Sequence, residues 1–237
     1  MLSGRPILIA GAGIGGLAAA LALARHGFRS HILEQSAAPV EAGAGIQIGP
    51  NGTRLLADLG VLEALRPHAV RPDTLDVFDG GSGALLTRLP LGAWLSARHG
   101  ADYLTAHRAD VHGALIDAVS QNECVALTGA FRVLRFADTA QEVRVCSDAG
   151  AEIHGSALIG ADGVWSTVRS LMFGGAALRP TGKTAARALI PIARVPPAFA
   201  APAVGVWMGR RAHVVHYPVR GGAMLAMVVV TADDWTG

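Results

Sequence analysis

The chain has 237 residues, 51% hydrophobic and 16% charged, with a net charge of +2. That is enough apolar material for a sizeable core in one large or two smaller domains, and the near-balanced charge, without a basic block, carries no signature of a nucleic-acid binder. No stretch approaches the roughly 20 uninterrupted apolar residues of a membrane span, and the apolar start lacks the basic flank and cleavage site of a secretory signal.

Residues 7–10 read as a short apolar strand. Gly11, Gly13 and Gly16 then fit G-x-G-x-x-G, and Ile14, Leu17, Leu21 and Leu23 give one apolar face to a helix that Gly27 stops. A second strand over 30–33 ends at Glu34, 18 residues after Gly16. Each part has a task in a dinucleotide site. Gly11 permits the tight turn, Gly13 lets a pyrophosphate approach the backbone, and Gly16 lets the helix lie close to the sheet. The helix start offers free N–H groups to phosphates, and Glu34 accepts hydrogen bonds from an adenosine ribose. The fingerprint alone does not separate NAD from FAD.

Pro50 suits the first turn of a helix near 51–59. TLDVFD and ALLTRL read as strands joined by Gly80-Gly81-Ser82-Gly83, a turn that misses the G-x-S-x-G elbow at Ala84. Val111, Leu115, Ile116 and Val119 mark a helix face. Three strand-like runs follow at 124–127, 131–136 and 142–146. The Asp148-Ala149-Gly150 turn then leads into the strand before Asp162. Cys124 and Cys146 lie in these runs and fit no metal spacing, so buried free thiols in a reducing, cytoplasmic setting are expected.

The segment ALIGADGVWSTVR (157–169) sets Asp162-Gly163 at a strand end and Ser166 and Arg169 on a short helix. A carboxylate followed by glycine suits a ribityl hydroxyl or pyrophosphate-bound water. It equally describes a capped strand-to-helix turn. TGKT (181–184) is not a phosphate loop, since the first glycine of that motif would fall at Ala177 and no strand precedes it. Beyond Lys183 the runs 184–192, 204–208, 212–217 and 223–231 predict an antiparallel sheet as a second layer, with VPPAFAAPAV (195–204) an exposed loop. In a strand, His213 and Tyr217 share a face and His216 points the other way; without further context they are as well read as packing residues.

GADGVWSTVR resembles the Asp-Gly motif of the single-component, FAD-dependent aromatic hydroxylases. GAGIQIGPNGTRLLADLGV (43–61) and HRADVHGAL (107–115) are similar to further segments of that family. HVVHYPVRGG (213–222) is similar to the substrate-domain strand of its salicylate, 3-hydroxybenzoate and 6-hydroxynicotinate hydroxylase group. The four ordered segments span nearly the whole chain.

The resemblance implies an α/β fold: a Rossmann-like FAD-binding domain of the glutathione-reductase type with an inserted β-meander (1–72 and 100–180), and a partial antiparallel-sheet substrate domain (73–99 and 181–237). It implies FAD at the fingerprint, with NADH or NADPH as a transient reductant lacking a Rossmann unit of its own. The activity it implies is hydroxylation of a small phenolic or hydroxy-heteroaromatic acid by O2 through a flavin C4a-hydroperoxide, with no metal and a homodimer as the candidate assembly. For the cofactor it implicates Gly11, Gly13, Gly16, Glu34, Gln35, Arg108 (phosphates or flavin edge), Leu127 (adenine, through its backbone) and Asp162. Gln47 is placed against flavin or substrate, Tyr217 at the substrate hydroxyl or in a proton relay, and His213 as base or hydrogen-bond partner.

Family members carry a second flavin segment, Gly-Asp-Ala-Ala-His-Pro or close to it, which this sequence lacks. The chain is therefore expected to be an N-terminal portion that holds FAD weakly or by its adenosine end alone. A non-catalytic nucleotide-binding remnant and an NAD-dependent dehydrogenase are the rival readings.

Overall fold

The computed structural model describes residues 4–38, 44–175 and 178–232. Gly43 at the head of one family-like segment, Ala177, and the end from Asp233 to Gly237 lie outside them. The order of elements is β1 (Ile7–Ala10), α1 (Ile14–Arg25), β2 (Ser30–Leu33), β3 (Gly45–Ile48), α2 (Pro50–Asp58), α3 (Leu62–Leu65), β4 (Thr74–Asp79), β5 (Leu85–Pro90), α4 (Gly92–His99), β6 (Leu104–His107) and α5 (Arg108–Ser120). There follow β7 (Val125–Thr128), β8 (Val133–Asp138), β9 (Val143–Ser147), β10 (Glu152–Gly155), β11 (Ala157–Gly160), α6 (Thr167–Phe173), β12 (Lys183–Pro191), β13 (Ala203–Met208), β14 (Ala212–Val219) and β15 (Met224–Ala232). The fold is α/β, in two compact units: Met1–Glu41 with His112–Leu178, and Ala42–Val111 with Arg179–Gly237.

The first unit holds a parallel sheet in the order β11-β1-β2-β7. Its strands are short runs of Ile, Leu and Ala because the central ones are covered on both faces; Leu8, Ile9, Ile32 and Leu33 are buried. α1 buries Gly16, Leu17, Ala20 and Leu21, a stripe in which the two small residues alternate with two leucines. A separate antiparallel sheet, β10-β9-β8, is the expected meander. Leu8, Leu33, Phe131, Val145 and Val168 form a common core.

Two strand assignments differ from the sequence reading. The run at 124–127 becomes β7 and joins the parallel sheet beside β2 instead of the meander, with Ile32 opposite Leu127. The approach to Asp162 is two strands: β10 pairs with β9, and β11 pairs with β1. The chain changes sheets at Gly155, where a Cβ would lie 2.4 Å from the Leu8 Cγ and 2.7 Å from the Pro6 carbonyl oxygen. The Ser156 N–H donates to that same oxygen.

The second unit is a six-stranded sheet, β12-β15-β14-β13-β4-β5, beside a two-stranded β3-β6 pair. Its neighbours are antiparallel except β4 and β13. Tyr217, Val219, Val204, Ala226 and Leu91 form its core. Thr105 of β6 donates to the Pro218 carbonyl at 2.6 Å, tying the small pair to β14. The β4–β5 turn is organised by Asp79, whose carboxylate accepts from the Gly81 and Ser82 N–H groups and the Ser82 hydroxyl. Among the described residues no helix is long and apolar enough to cross a membrane, and no cluster of His, Cys, Asp and Glu has metal-binding geometry. Both cysteines are free, Cys146 buried and Cys124 half-buried.

Candidate functional site

In the first unit the glycine turn is dictated by space. Gly11 has φ +103°, and a Cβ there would meet the Ala161 carbonyl oxygen at 2.6 Å. A Cβ on Gly16 would lie 2.0 Å from the Gly11 oxygen, so any side chain would pry α1 off the turn. Gly13 differs, since nothing lies within 4 Å of the Cβ it lacks. The space above it is open, and it is the N-cap of a helix start that no side chain caps. His112 of α5 clasps the same turn, its Nε2 2.7 Å from the Ala12 carbonyl oxygen; against that acceptor the ring must present an N–H.

Glu34 closes the other side. Its Oε2 accepts from the Ala12 N–H at 2.8 Å and its Oε1 from the Ser36 N–H at 2.9 Å. Each carboxylate oxygen retains a lone pair, so the group still receives a hydroxyl. A cleft of about 240 Å3 is lined by Gly11, Gly13, Glu34, Gln35, Arg132 and Asp162. The uncapped N–H groups suit a pyrophosphate and the acidic rim suits a ribose, so these residues fit the adenosine diphosphate end of FAD.

Asp162 is at the cleft and is also engaged in its own turn. Its Oδ1 accepts from the Ser166 hydroxyl at 2.5 Å and its Oδ2 from the Val168 N–H at 3.1 Å. Ser166 caps α6 by accepting from the Arg169 N–H. Leu127 lies in β7 opposite Ile32 of β2 and is not among the residues that line the cleft. Arg108 opens α5 in the second unit, exposed, with its backbone N–H donating to the Ala44 carbonyl.

The second unit brings another set together. The Tyr103 hydroxyl donates to Gln47 Oε1 at 2.5 Å, and Gln47 also bonds Tyr217. Burial pushes both phenols above their ordinary range, while the Gln47 bond and the charge of Arg187 pull Tyr217 back down. Arg187 lies two residues before Leu189, which packs against the Tyr217 cluster, so it points to the same face of the sheet.

His213 does not join this set. It has the same strand parity as Tyr217 but stands four residues away, roughly 13 Å at a strand's rise per residue, and borders a hollow with Trp207 and Met227. Tyr103, Arg187 and His112 were not singled out by sequence reasoning. Only His112 had a local signal, being four residues after Arg108 on one helix.

Residues 5–233 match the protein family described as FAD binding domain. The chain is 42% identical over 224 residues to 3-hydroxybenzoate 6-hydroxylase of Polaromonas naphthalenivorans, covering 94% of this chain and 56% of the relative. It is 36% identical over 191 residues to 6-hydroxynicotinate 3-monooxygenase of Bordetella bronchiseptica, covering 80% of this chain and 49% of that protein. Among solved structures, Klebsiella pneumoniae HpxO complexed with FAD and uric acid superimposes with a TM-score of 0.84 at 25% identity, covering 100% of this chain and 58% of the other. The chain thus spans about half the length of the curated relatives it matches.

Proposed function

Because this chain belongs to the FAD binding domain family, we propose that it holds FAD at the Gly11–Gly13 turn and serves in hydroxylating a small phenolic or hydroxy-heteroaromatic acid. NADH or NADPH is the transient reductant and O2 the oxidant in this reading. The observation that carries it is the meeting of Gly11, Gly13 and Glu34 in one open cleft at an uncapped helix start. The bound flavin supplies electron storage and the reductive activation of oxygen.

The protein's own contribution is positioning and proton control. The N–H groups of the α1 start bind the pyrophosphate, and Glu34 receives a ribose hydroxyl. Asp162, already shared between Ser166 and Val168, has lone pairs left for a further donor at the cleft. Tyr217 donates to the ring hydroxyl of the substrate, and Tyr103 and Gln47 fix the orientation of that donor. Arg187 offers a positive charge on the Tyr217 face for the substrate carboxylate. The names of the relatives, acting on hydroxybenzoate and hydroxynicotinate, support an acid of this size. A homodimer belongs to the same proposal, with sedimentation as its test.

The test is an absorbance spectrum of the purified chain after adding FAD, followed by titration with 3-hydroxybenzoate and 6-hydroxynicotinate. Flavin bands that become protein-bound and then shift on one acid are the expected result. A chain that binds NADH with no affinity for FAD overturns the proposal.

A further inference from the structure

The face of the six-stranded sheet opposite Tyr217 carries an aromatic cluster that the proposed chemistry does not use. Phe78 of β4 and Trp207 of β13 stack with ring centroids 4.4 Å apart. Phe199 stands edge-on to His216 at 5.0 Å. Trp207, His216 and Phe199 are shared by two adjoining clefts, of about 440 Å3 and 150 Å3. The larger is also bordered by His213, Val214 and Met227 and lies within the size range of small-molecule pockets.

The polar atoms in this cluster are unsatisfied. Among the described residues, seven buried side-chain nitrogen or oxygen atoms find no hydrogen-bond partner, and three of them are Trp207 Nε1 and the two ring nitrogens of His216. Buried polar groups are ordinarily paired, so three orphans on adjoining walls of one cleft call for a ligand. His216 is only 6% exposed. Its ring lies over Gly205, where a Cβ would come within 2.1 Å of Nε2; the sequence leaves room for that imidazole at the expense of a side chain in mid-strand.

We propose that this cleft binds a neutral planar heteroaromatic ring with an amide edge, a carbonyl acceptor beside an N–H donor. The ring would lie edge to edge with the Trp207 indole, one face of which Phe78 already covers. Its carbonyl would accept from the Trp207 N–H, and its N–H would donate to the imidazole. A neutral imidazole offers one acceptor and one donor, and burial holds His216 below its ordinary pKa. A carboxylate ligand is disfavoured because neither lysine nor arginine lines either cleft, and the Arg88 guanidinium near Asp76 is already committed to that carboxylate at 2.8 and 2.7 Å. Phe199 covers the imidazole. It ends the single 3-10 turn Pro197–Phe199 in a stretch outside the sheet, and is the piece that moves to admit the ring. This site is independent of the FAD reading, since Phe78, Trp207, Val214, His216 and Met227 lie on the other face of the sheet from Tyr217, His213 alone having the parity of Tyr217.

The test is a 1H–15N titration of the chain with 2-quinolone, followed on the Trp207 indole N–H, which is identified by its loss in Trp207→Phe. That resonance is expected to move downfield and saturate. Naphthalene, the same shape without the amide, should bind at least about fivefold more weakly, the effect of one hydrogen bond. His216→Phe should remove that preference while the other indole signals stay in place, which shows the fold is kept. Equal binding of naphthalene and 2-quinolone overturns the proposal, as does an unmoved Trp207 signal. A shift driven by protein concentration alone overturns it in favour of a second copy, and saturation by 3-hydroxybenzoate at the same concentration overturns the neutral class.

Discussion

Gly45 makes room for Tyr217: a Cβ on Gly45 would lie 2.6 Å from Tyr217 Cε2 and 2.7 Å from its hydroxyl oxygen. The glycine on β3 thus sets how deeply the tyrosine of β14 seats beside Gln47. Gly45→Ala should cost about 1–3 kcal/mol by overpacking, since Ala226 also lies 2.6 Å from the added carbon. Urea melts check the stability, and the FAD spectrum of the same variant should be unchanged, because the glycine turn lies in the other unit.

Glu34→Gln should separate shape from charge at the cleft. The amide cannot accept at both positions, so either the Ala12 or the Ser36 N–H loses its partner, and a ribose hydroxyl loses a charged acceptor. FAD affinity should fall about tenfold or more, the scale of hydrogen bonds to charged groups. Quenching of flavin fluorescence measures it. An unchanged affinity would take Glu34 out of the site.

Tyr217→Phe and Tyr103→Phe should not behave alike. The first removes the donor itself and should abolish the flavin band shift induced by hydroxybenzoate. The second leaves the donor but frees Gln47 to rotate, so the shift should persist with about fivefold weaker binding. Difference spectra of the two variants decide the point. Identical behaviour would mean the three residues act only as packing.

Acid should destabilise the protein in two separate steps. Burial holds His31, His107 and His216 below the ordinary imidazole range. The folded state keeps them neutral while the unfolded chain takes up protons below about pH 6.5. Stability is therefore full above that pH and declines as pH falls through the folded values. Asp76, held low by Arg88, contributes above the ordinary carboxylate range and is lost only further down, near pH 4 and below. Midpoints of urea unfolding between pH 8 and 3 should show the earlier decline flattened in His216→Phe.

The dinucleotide cleft was largely legible because its parts are close in sequence: strand, three glycines, helix and terminal acid fall within residues 7–34. Of what completes it, Asp162 was singled out by its Asp-Gly segment, and the rest was not. His112 reaches Ala12 across 100 residues, and Arg132 arrives from beyond β7. Gln47 could be singled out only by family likeness, and its partner Tyr103 is 56 positions away with no periodic or turn signal. The runs at 124–127 and 131–136 look alike as sequence, yet one pairs with β2 and the other with β9, because pairing depends on which edge is available. The division of 151–160 into two strands depends on the crowding of Gly155 against Leu8, a contact that no local pattern encodes.

The parallel seam between β4 and β13 has a consequence for biosynthesis. The hairpin of β4 and β5 leaves the ribosome some 120 residues before its partner strand, or roughly 6–25 s at ordinary elongation rates. During that interval Leu85, Leu86 and Leu89, still half exposed in the finished fold, have no sheet to join. The nascent chain is then most open to chaperone capture or to pairing with a neighbour on the same message, and expression yield should respond to polar replacements in β5 that barely alter the mature protein.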